Sequence, residues 1–151
     1  MARGTEFLLV ALGGAAGSCA RYLVGLLSTR WLGTGFPWAT TIVNVVGSLV
    51  IGFLGIVLTE GWKDPRLRLL LMVGFLGGFT TFSSYAIEGV QLWERGRIAR
   101  SLVFLGGSVL LGFVAVLIGM AAGRAVVVAH PHHVAEGPTP AEEESTSTKS
   151  S

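Results

Sequence analysis

Four apolar segments alternate with short polar joints along the chain. They cover residues 7–27, 38–58, 67–93 and 102–128. Each has roughly 20 residues or more, the length at which an α-helix crosses the hydrocarbon core of a bilayer. The pattern predicts an all-α integral membrane protein with four transmembrane helices per chain.

The tryptophans mark the ends of these segments. Indole rings favour the interface between membrane and water. All four tryptophans stand at segment ends: Trp31, Trp38, Trp62 and Trp93. Their placement supports the prediction of four spans independently of hydropathy.

The composition changes after the fourth segment. Residues 1–129 are predicted to form one four-helix membrane domain, and residues 130–151 a disordered polar tail without apolar periodicity. The tail contains the string HPHH, whose imidazoles can bind metal. Because no second ligand group stands at a fixed spacing, we interpret this string as part of a mobile tail.

Composition favours a membrane protein over a soluble domain. The chain is 51% hydrophobic and only 13% charged. The basic residues cluster at segment ends and form no basic face, so no nucleic-acid partner is expected. The first segment is longer than the apolar part of a signal peptide and contains Arg21, so we expect a membrane helix rather than a cleavable signal.

The basic residues give almost no preferred orientation. With four spans, both termini and the second loop share one side. That side has five basic residues near the membrane, apart from the remote Lys149, and the other side has four: Arg3, Lys63, Arg66, Arg68 and Arg124 against Arg30, Arg95, Arg97 and Arg100. Because the positive-inside rule sets no clear topology here, we hypothesise insertion in both orientations. The two forms would pair as an antiparallel, dual-topology homodimer, since four helices alone leave little room for a pore.

Small residues at helical spacing supply faces on which helices can approach closely. Three pairs have this spacing: Gly13 and Gly17, Ser48 and Gly52, and Gly119 and Gly123. Such pairs are common in membrane helices, so the signal is modest.

Residues 77–85, GGFTTFSSY, interrupt the third segment. Glycine weakens helices, and Ser and Thr hydroxyls compete for main-chain carbonyls. Carbonyls freed by a broken helix are tolerated at membrane depth only inside protein or around an ion or water. We expect either a break whose carbonyls face a cation, or a kink that hydroxyl groups satisfy.

Asn44 is the most polar residue of the second segment. Thr40 and Ser48 stand four residues before and after it, so the three share one helical face. On a structural interpretation, Asn44 forms a hydrogen bond between helices. On a functional interpretation, the three residues line a path with hydrogen-bond donors.

Phe82 and Tyr85 stand three residues apart and share one side of a helix. They either pack or turn their positive ring edges toward an anion. Thr81 and Ser108 are candidate donors beside them. Because no Lys or Arg joins this set, an anion would be bound weakly enough to leave, as a channel requires.

Two ionisable residues lie inside the apolar segments. Arg21 either snorkels to the nearer surface or forms an ion pair, or else draws anions toward a vestibule. Glu88, late in the third segment, is a candidate partner for it.

Three strings resemble the Fluc, or CrcB, family of small fluoride channels. They are GGFTTFSS in the third segment, TTIVNVVGS in the second and GGAAGSCARY in the first. The resemblance covers residues 7–124. It implies a fluoride-selective ion channel in the cell membrane, a multi-pass, dual-topology homodimer with two antiparallel pores. Passive fluoride export through it would relieve fluoride toxicity.

The resemblance also implies roles for individual residues. The pore asparagine falls on Asn44, and the two pore phenylalanines fall on Phe82 and Tyr85, where the tyrosine is a departure. The carbonyls that hold a structural sodium ion at the dimer centre fall on Gly77 and Thr80.

Further positions complete this implied set. The fourth-span pore serine falls on Ser108, and Phe104 stands where the family often has an aromatic hydroxyl. Arg21 matches a first-span arginine, and Glu88 an acidic residue near the vestibule.

Two other classes of protein fit the sequence less well. A small dual-topology multidrug or cation antiporter needs a carboxylate deep in the first span. Here the only acid of that region is Glu6, at its margin. An enzyme is not expected, because all three histidines stand in the tail, away from the polar residues of the spans.

Overall fold

The computed structural model describes residues 3–129, and the predicted tail with its HPHH string lies outside them. Four helical stretches are long and apolar enough to cross a membrane: Arg3–Leu32, Trp38–Gly61, Pro65–Glu94 and Ile98–Ala129. No strand occurs in this part of the chain. The predicted all-α architecture with four spans is confirmed. The spans extend beyond most of the predicted apolar segments because a helix continues into the polar interface.

Two of the four spans are not uniform α-helices. The elements are α1 Arg3–Leu32, α2 Trp38–Ile56, a π-helical turn Val57–Gly61, α3 Pro65–Leu67, a π-helical segment Arg68–Leu76, α4 Gly77–Phe79, α5 Phe82–Glu94 and α6 Ile98–Ala129. The third span is thus composed of several pieces, and its α-helix is interrupted between α4 and α5.

Local signals set the ends of the helices. Gly33 follows α1 with a φ of 75°, and Gly96 follows α5 with a φ of 72°. This left-handed conformation terminates helices and is easiest for glycine. Before α3, the Asp64 carboxylate accepts hydrogen bonds from the amides of Arg66 and Leu67 at 2.8 and 3.4 Å, and Pro65 occupies the first helical position.

The helices pack in two main pairs, α2 with α6 and α1 with the first half of the third span. Glycines form both interfaces. A Cβ added to Gly17 would overlap the Phe75 carbonyl, and one added to Gly119 would overlap the Leu49 carbonyl. The small-residue faces predicted from the sequence therefore bring main chains together inside one chain.

A hydroxyl and an aromatic ring lie at the most buried points of α6. Phe104 and Ser101 are fully buried. The Ser101 hydroxyl donates to the Gly89 carbonyl of α5 at 2.8 Å, which ties the second half of the third span to α6. The third span is therefore held at both ends, by α1 before the interruption and by α6 after it.

Gly119→Ala should destabilise the protein, because its methyl group would meet the Leu49 main chain rather than a flexible side chain. We expect a loss of about 1–3 kcal/mol in unfolding free energy, typical of overpacking. Thermal unfolding in detergent measures it.

Gly106→Ala, on the same helix, is the matched control, since a Cβ there has nothing within 4 Å. It should leave stability unchanged or raise it by up to about 1 kcal/mol through helix propensity. An equal loss in both variants would contradict the proposed close approach of α2 and α6.

Candidate functional site

The third span breaks at two consecutive threonines. Thr80 has φ −81° and ψ 159°, and Thr81 has φ −151° and ψ 124°, so both are extended. Helix α5 then begins anew, with the Thr81 hydroxyl oxygen accepting the Ser84 amide at 3.2 Å as an N-cap. The break predicted from GGFTTFSSY lies within that string.

Asn44 of α2 satisfies the main chain of the break. Its Nδ2 donates to the Thr81 carbonyl at 2.9 Å, and its Oδ1 accepts from the Thr81 amide at 2.8 Å. One side chain thereby satisfies both main-chain polar groups of a residue that has left its helix. Asn44 therefore forms hydrogen bonds between two spans, as the structural interpretation of this residue predicts. The amide carries a second N–H that these two bonds do not use.

The Gly77 and Thr80 carbonyls lose their helical donors at the break. In a continuous helix the Gly77 carbonyl would accept from the Thr81 amide, which donates instead to Asn44. The Thr80 carbonyl would accept from the Ser84 amide, which donates instead to the Thr81 hydroxyl. These are the two carbonyls to which the resemblance assigns sodium.

The two carbonyl residues line a groove of about 260 Å³ together with Gly47, Ser48, Ile51, Met72 and Leu76. Gly47 permits the close approach of α2, since a Cβ there would overlap the Thr80 methyl group. Main-chain oxygens are ligands that suit small hard cations. The local chemistry therefore fits a sodium ion, although one chain supplies only part of a coordination shell.

A second groove, of about 310 Å³, lies on the other side of the break. It brings together predicted site residues from three spans, and its lining is Asn44, Ser48, Phe82, Tyr85, Ser108, Val109, Gly112, Phe113 and Val116. None of these residues is charged. We call it the central groove.

Phe82 and Tyr85 occupy different environments within this groove. The Phe82 ring is 79% exposed in the single chain. The Tyr85 ring is partly buried and lies 5.7 Å from Phe82 and 5.3 Å from Phe104, between ring centroids. Its hydroxyl donates to the Leu105 carbonyl at 2.7 Å, so this donor is already engaged with α6.

The polar stripe of α2 is shifted by one residue from the prediction. Neither Thr40, which is buried, nor Thr41 lines either groove, but the Thr41 hydroxyl donates to the Pro37 carbonyl at 3.0 Å and lies 3.5 Å from the Ser108 hydroxyl. Sequence reasoning missed Thr41 by extending the stripe from Asn44 at a spacing of four alone. A spacing of three identifies Thr41, because positions i, i+3 and i+7 also share a face.

Thr81 contributes its backbone to the site more than its side chain. Its hydroxyl oxygen caps α5 and lies 3.2 Å from the Ser84 hydroxyl and 3.3 Å from that of Ser83. It is not among the residues that line the central groove.

A vestibule of about 210 Å³ opens at the end of α5. Its lining includes Phe36, Trp38, Glu88, Gln91, Arg95 and Arg97. One oxygen of the Glu88 carboxylate is buried and accepts no hydrogen bond from residues 3–129. The two arginines, which the sequence suggested only as markers of topology, add positive charge at this opening.

Arg21 does not join the vestibule. It is partly buried on α1, and its side chain lines none of the grooves described above. Within the described residues no ion pair links it to Glu88, so the structure does not bring these two candidate partners together.

Comparison with known proteins assigns the family. Residues 8–120 match the model of the family described as CrcB-like protein, Camphor Resistance (CrcB). The chain belongs to the CrcB family. It is therefore a multi-pass protein of the cell membrane, and a transporter rather than an enzyme.

Similar relatives are each named Fluoride-specific ion channel FluC. One from Rhizobium etli is 47% identical over 123 residues, covering 81% of this chain and 98% of the relative. One from Nitrobacter winogradskyi is 43% identical over 123 residues, with the same coverage. One from Thermus thermophilus is 46% identical over 122 residues, again covering 81% and 98%.

Tyr85 and Phe104 are the two positions at which this sequence departs from the CrcB pattern, and the structure brings them into contact. Their rings are in contact, at 5.3 Å between centroids. Phe104 on α6 has no aromatic hydroxyl, but Tyr85 on α5 supplies one within the same cluster of rings. The Phe104 ring is fully buried, wedged between Tyr85 and Phe36.

Asn44→Asp should destabilise the break. An ionised carboxylate cannot donate to the Thr81 carbonyl, and it would place an oxygen about where Nδ2 now lies, 2.9 Å from that carbonyl oxygen. We expect a loss of about 1–3 kcal/mol in unfolding free energy, the range for a buried acceptor left unpaired.

Thermal unfolding of purified protein measures this loss. Gln91→Glu is the matched control, since it makes the same amide-to-carboxylate exchange at an exposed position of the vestibule. If both variants unfolded like the wild type, Asn44 would not hold the break.

Proposed function

We propose that the chain is a fluoride-selective ion channel that mediates passive fluoride export and so relieves fluoride toxicity. The observation that carries this proposal is the identity of 43–47% to relatives named as fluoride-specific channels, over almost their whole length. Fold, membrane location and site chemistry agree with it.

The geometry suggests how an anion passes. Arg95 and Arg97 at the vestibule attract anions, and the central groove beyond it offers neutral groups only. Asn44 has an amide N–H to donate, Ser108 has a hydroxyl, and Phe82 presents a ring. Such donors offset part of the lost hydration without binding the anion too tightly to release it.

We further propose an antiparallel homodimer. The central groove is open along one side, and the Phe82 ring there is 79% exposed. Lipid on that side would leave polar groups of the groove facing hydrocarbon, which is unfavourable. A second copy would close the groove, and the near balance of basic residues on the two sides supports its opposite insertion.

A structural sodium ion at the centre of that dimer is proposed on the same grounds. The Gly77 and Thr80 carbonyls lack their α-helical donors, and both residues line one groove. An antiparallel pair related by a twofold axis would contribute each carbonyl twice. The ion would neutralise carbonyl dipoles that have lost their α-helical donors.

A multidrug or cation antiporter is the weaker alternative. The acid of α1 is Glu6, in the first helical turn, and it lines a groove with Lys63 and Arg68 at the end of the span. Proton exchange against a cation requires a carboxylate at membrane depth. The named relatives give this alternative no support.

Fluoride release from liposomes that contain the purified dimer tests the proposal. We expect fluoride to leave down its gradient, and chloride release to remain far slower. Asn44→Asp should abolish release because a carboxylate repels anions and cannot donate. Exchange of sodium for a large organic cation during purification should reduce release, since the central site would be empty.

Protein-free liposomes are the baseline. If liposomes with dimeric protein in sodium released fluoride no faster than protein-free liposomes, the proposed channel function would be refuted. Equal release with and without sodium throughout purification would refute the structural ion alone.

Dual insertion is tested with two C-terminal reporters that are active on opposite sides of the membrane. We expect comparable activity from both, because the charge bias is near zero. The variant with Lys63→Gln and Arg66→Gln should shift activity toward one reporter. Wild-type activity on one side only would contradict the antiparallel arrangement.

A further inference from the structure

Thr41 and Ser108 form a relay of hydroxyl groups between the vestibule and the central groove. The relay begins at Pro37, which lines the vestibule, and ends at Ser108, which lines the groove. The Thr41 hydroxyl donates to the Pro37 carbonyl at 3.0 Å, and its oxygen lies 3.5 Å from the Ser108 hydroxyl oxygen.

The number of protons decides the direction of this relay. A threonine hydroxyl has one proton, and a carbonyl can only accept. Because the Thr41 proton is engaged with the Pro37 carbonyl, Ser108 is the donor in the contact between the two hydroxyls. Thr41 therefore presents an acceptor to Ser108 and holds no donor for an anion.

The contact between the Thr41 and Ser108 hydroxyls is long, so an anion can replace it. Hydrogen bonds between hydroxyl groups are usually 2.7–2.8 Å long, and weaken as they lengthen, so 3.5 Å marks a weak one. A hydrogen bond to an anion is charge-assisted and about twice as strong as a neutral one. An anion in the groove would thus take the Ser108 proton from Thr41 readily.

Without Thr41, Ser108 has a competing local partner. Serine hydroxyls in helices commonly bond to the carbonyl four residues earlier, which here belongs to Phe104. That short local bond would turn the proton away from the groove, and an anion would have to break it.

We propose that Thr41 is a positioning residue of the anion pathway, which keeps the Ser108 hydroxyl in a weak bond that an arriving fluoride displaces. This inference rests on the proposed channel function. It assigns to Thr41 a role through Ser108 rather than direct contact with the ion.

Fluoride release from liposomes tests the proposal in a double-mutant cycle. Thr41→Val removes the acceptor and keeps the branched shape, and it should lower release roughly two- to fivefold, the effect of one weak hydrogen bond. Thr41→Ser keeps the hydroxyl and should restore most of it. In the Ser108→Ala background Thr41→Val should have no further effect.

Controls separate this inference from the function on which it rests. Thr59→Val makes the same substitution at an exposed position remote from the central groove, and should release fluoride like the wild type. Wild-type protein without release would refute the channel itself. If Thr41→Val did not elute as a dimer on size exclusion, Thr41→Ala would replace it, and we expect the same loss of release.

Two results would overturn the role of Thr41 while leaving the channel intact. One is wild-type release from Thr41→Val or Thr41→Ala. The other is a loss of the same factor in the Ser108→Ala background, which would show that Thr41 acts independently of Ser108.

Discussion

A helix broken at membrane depth leaves main-chain N–H and C=O groups that hydrocarbon cannot satisfy. In this chain Asn44 lies where its side chain can form hydrogen bonds with such groups. The Asn44 amide takes both polar groups of Thr81, at 2.8 and 2.9 Å. The third span can therefore be extended at Thr80 and Thr81 and helical on either side. Gly77 and Thr80, whose carbonyls have lost their α-helical donors, then line one groove, while Phe82 and Tyr85 line the other.

This arrangement gives one side chain two tasks. Asn44 is both the clamp of the break and a member of the central groove, so the structural and functional interpretations of it do not compete. Its two hydrogen bonds to Thr81 fix the orientation of the amide and leave one of its N–H groups unused. A rigidly oriented donor loses little conformational entropy when an ion arrives.

Much of this organisation could be predicted from the sequence. Apolar length gave the four spans, and two glycines followed by hydroxyl residues indicated the break, because these residues weaken or satisfy helices locally. The partner of the break could not be predicted, since a contact between Asn44 and Thr81 depends on how two helices are juxtaposed. The same holds for the engagement of Tyr85 with Leu105, and for the one-residue shift from Thr40 to Thr41. Arg95 and Arg97 were noted only as loop charges, because sequence alone does not show a vestibule.

The site depends on a third span that is extended at two threonines while the flanking residues are helical. Carbon-13 chemical shifts of the backbone, measured by solid-state NMR on protein in lipid bilayers, test it most directly. We expect extended-type shifts at Thr80 and Thr81 between helical shifts at Phe79 and Phe82. Helical shifts that continue through all four residues would contradict it.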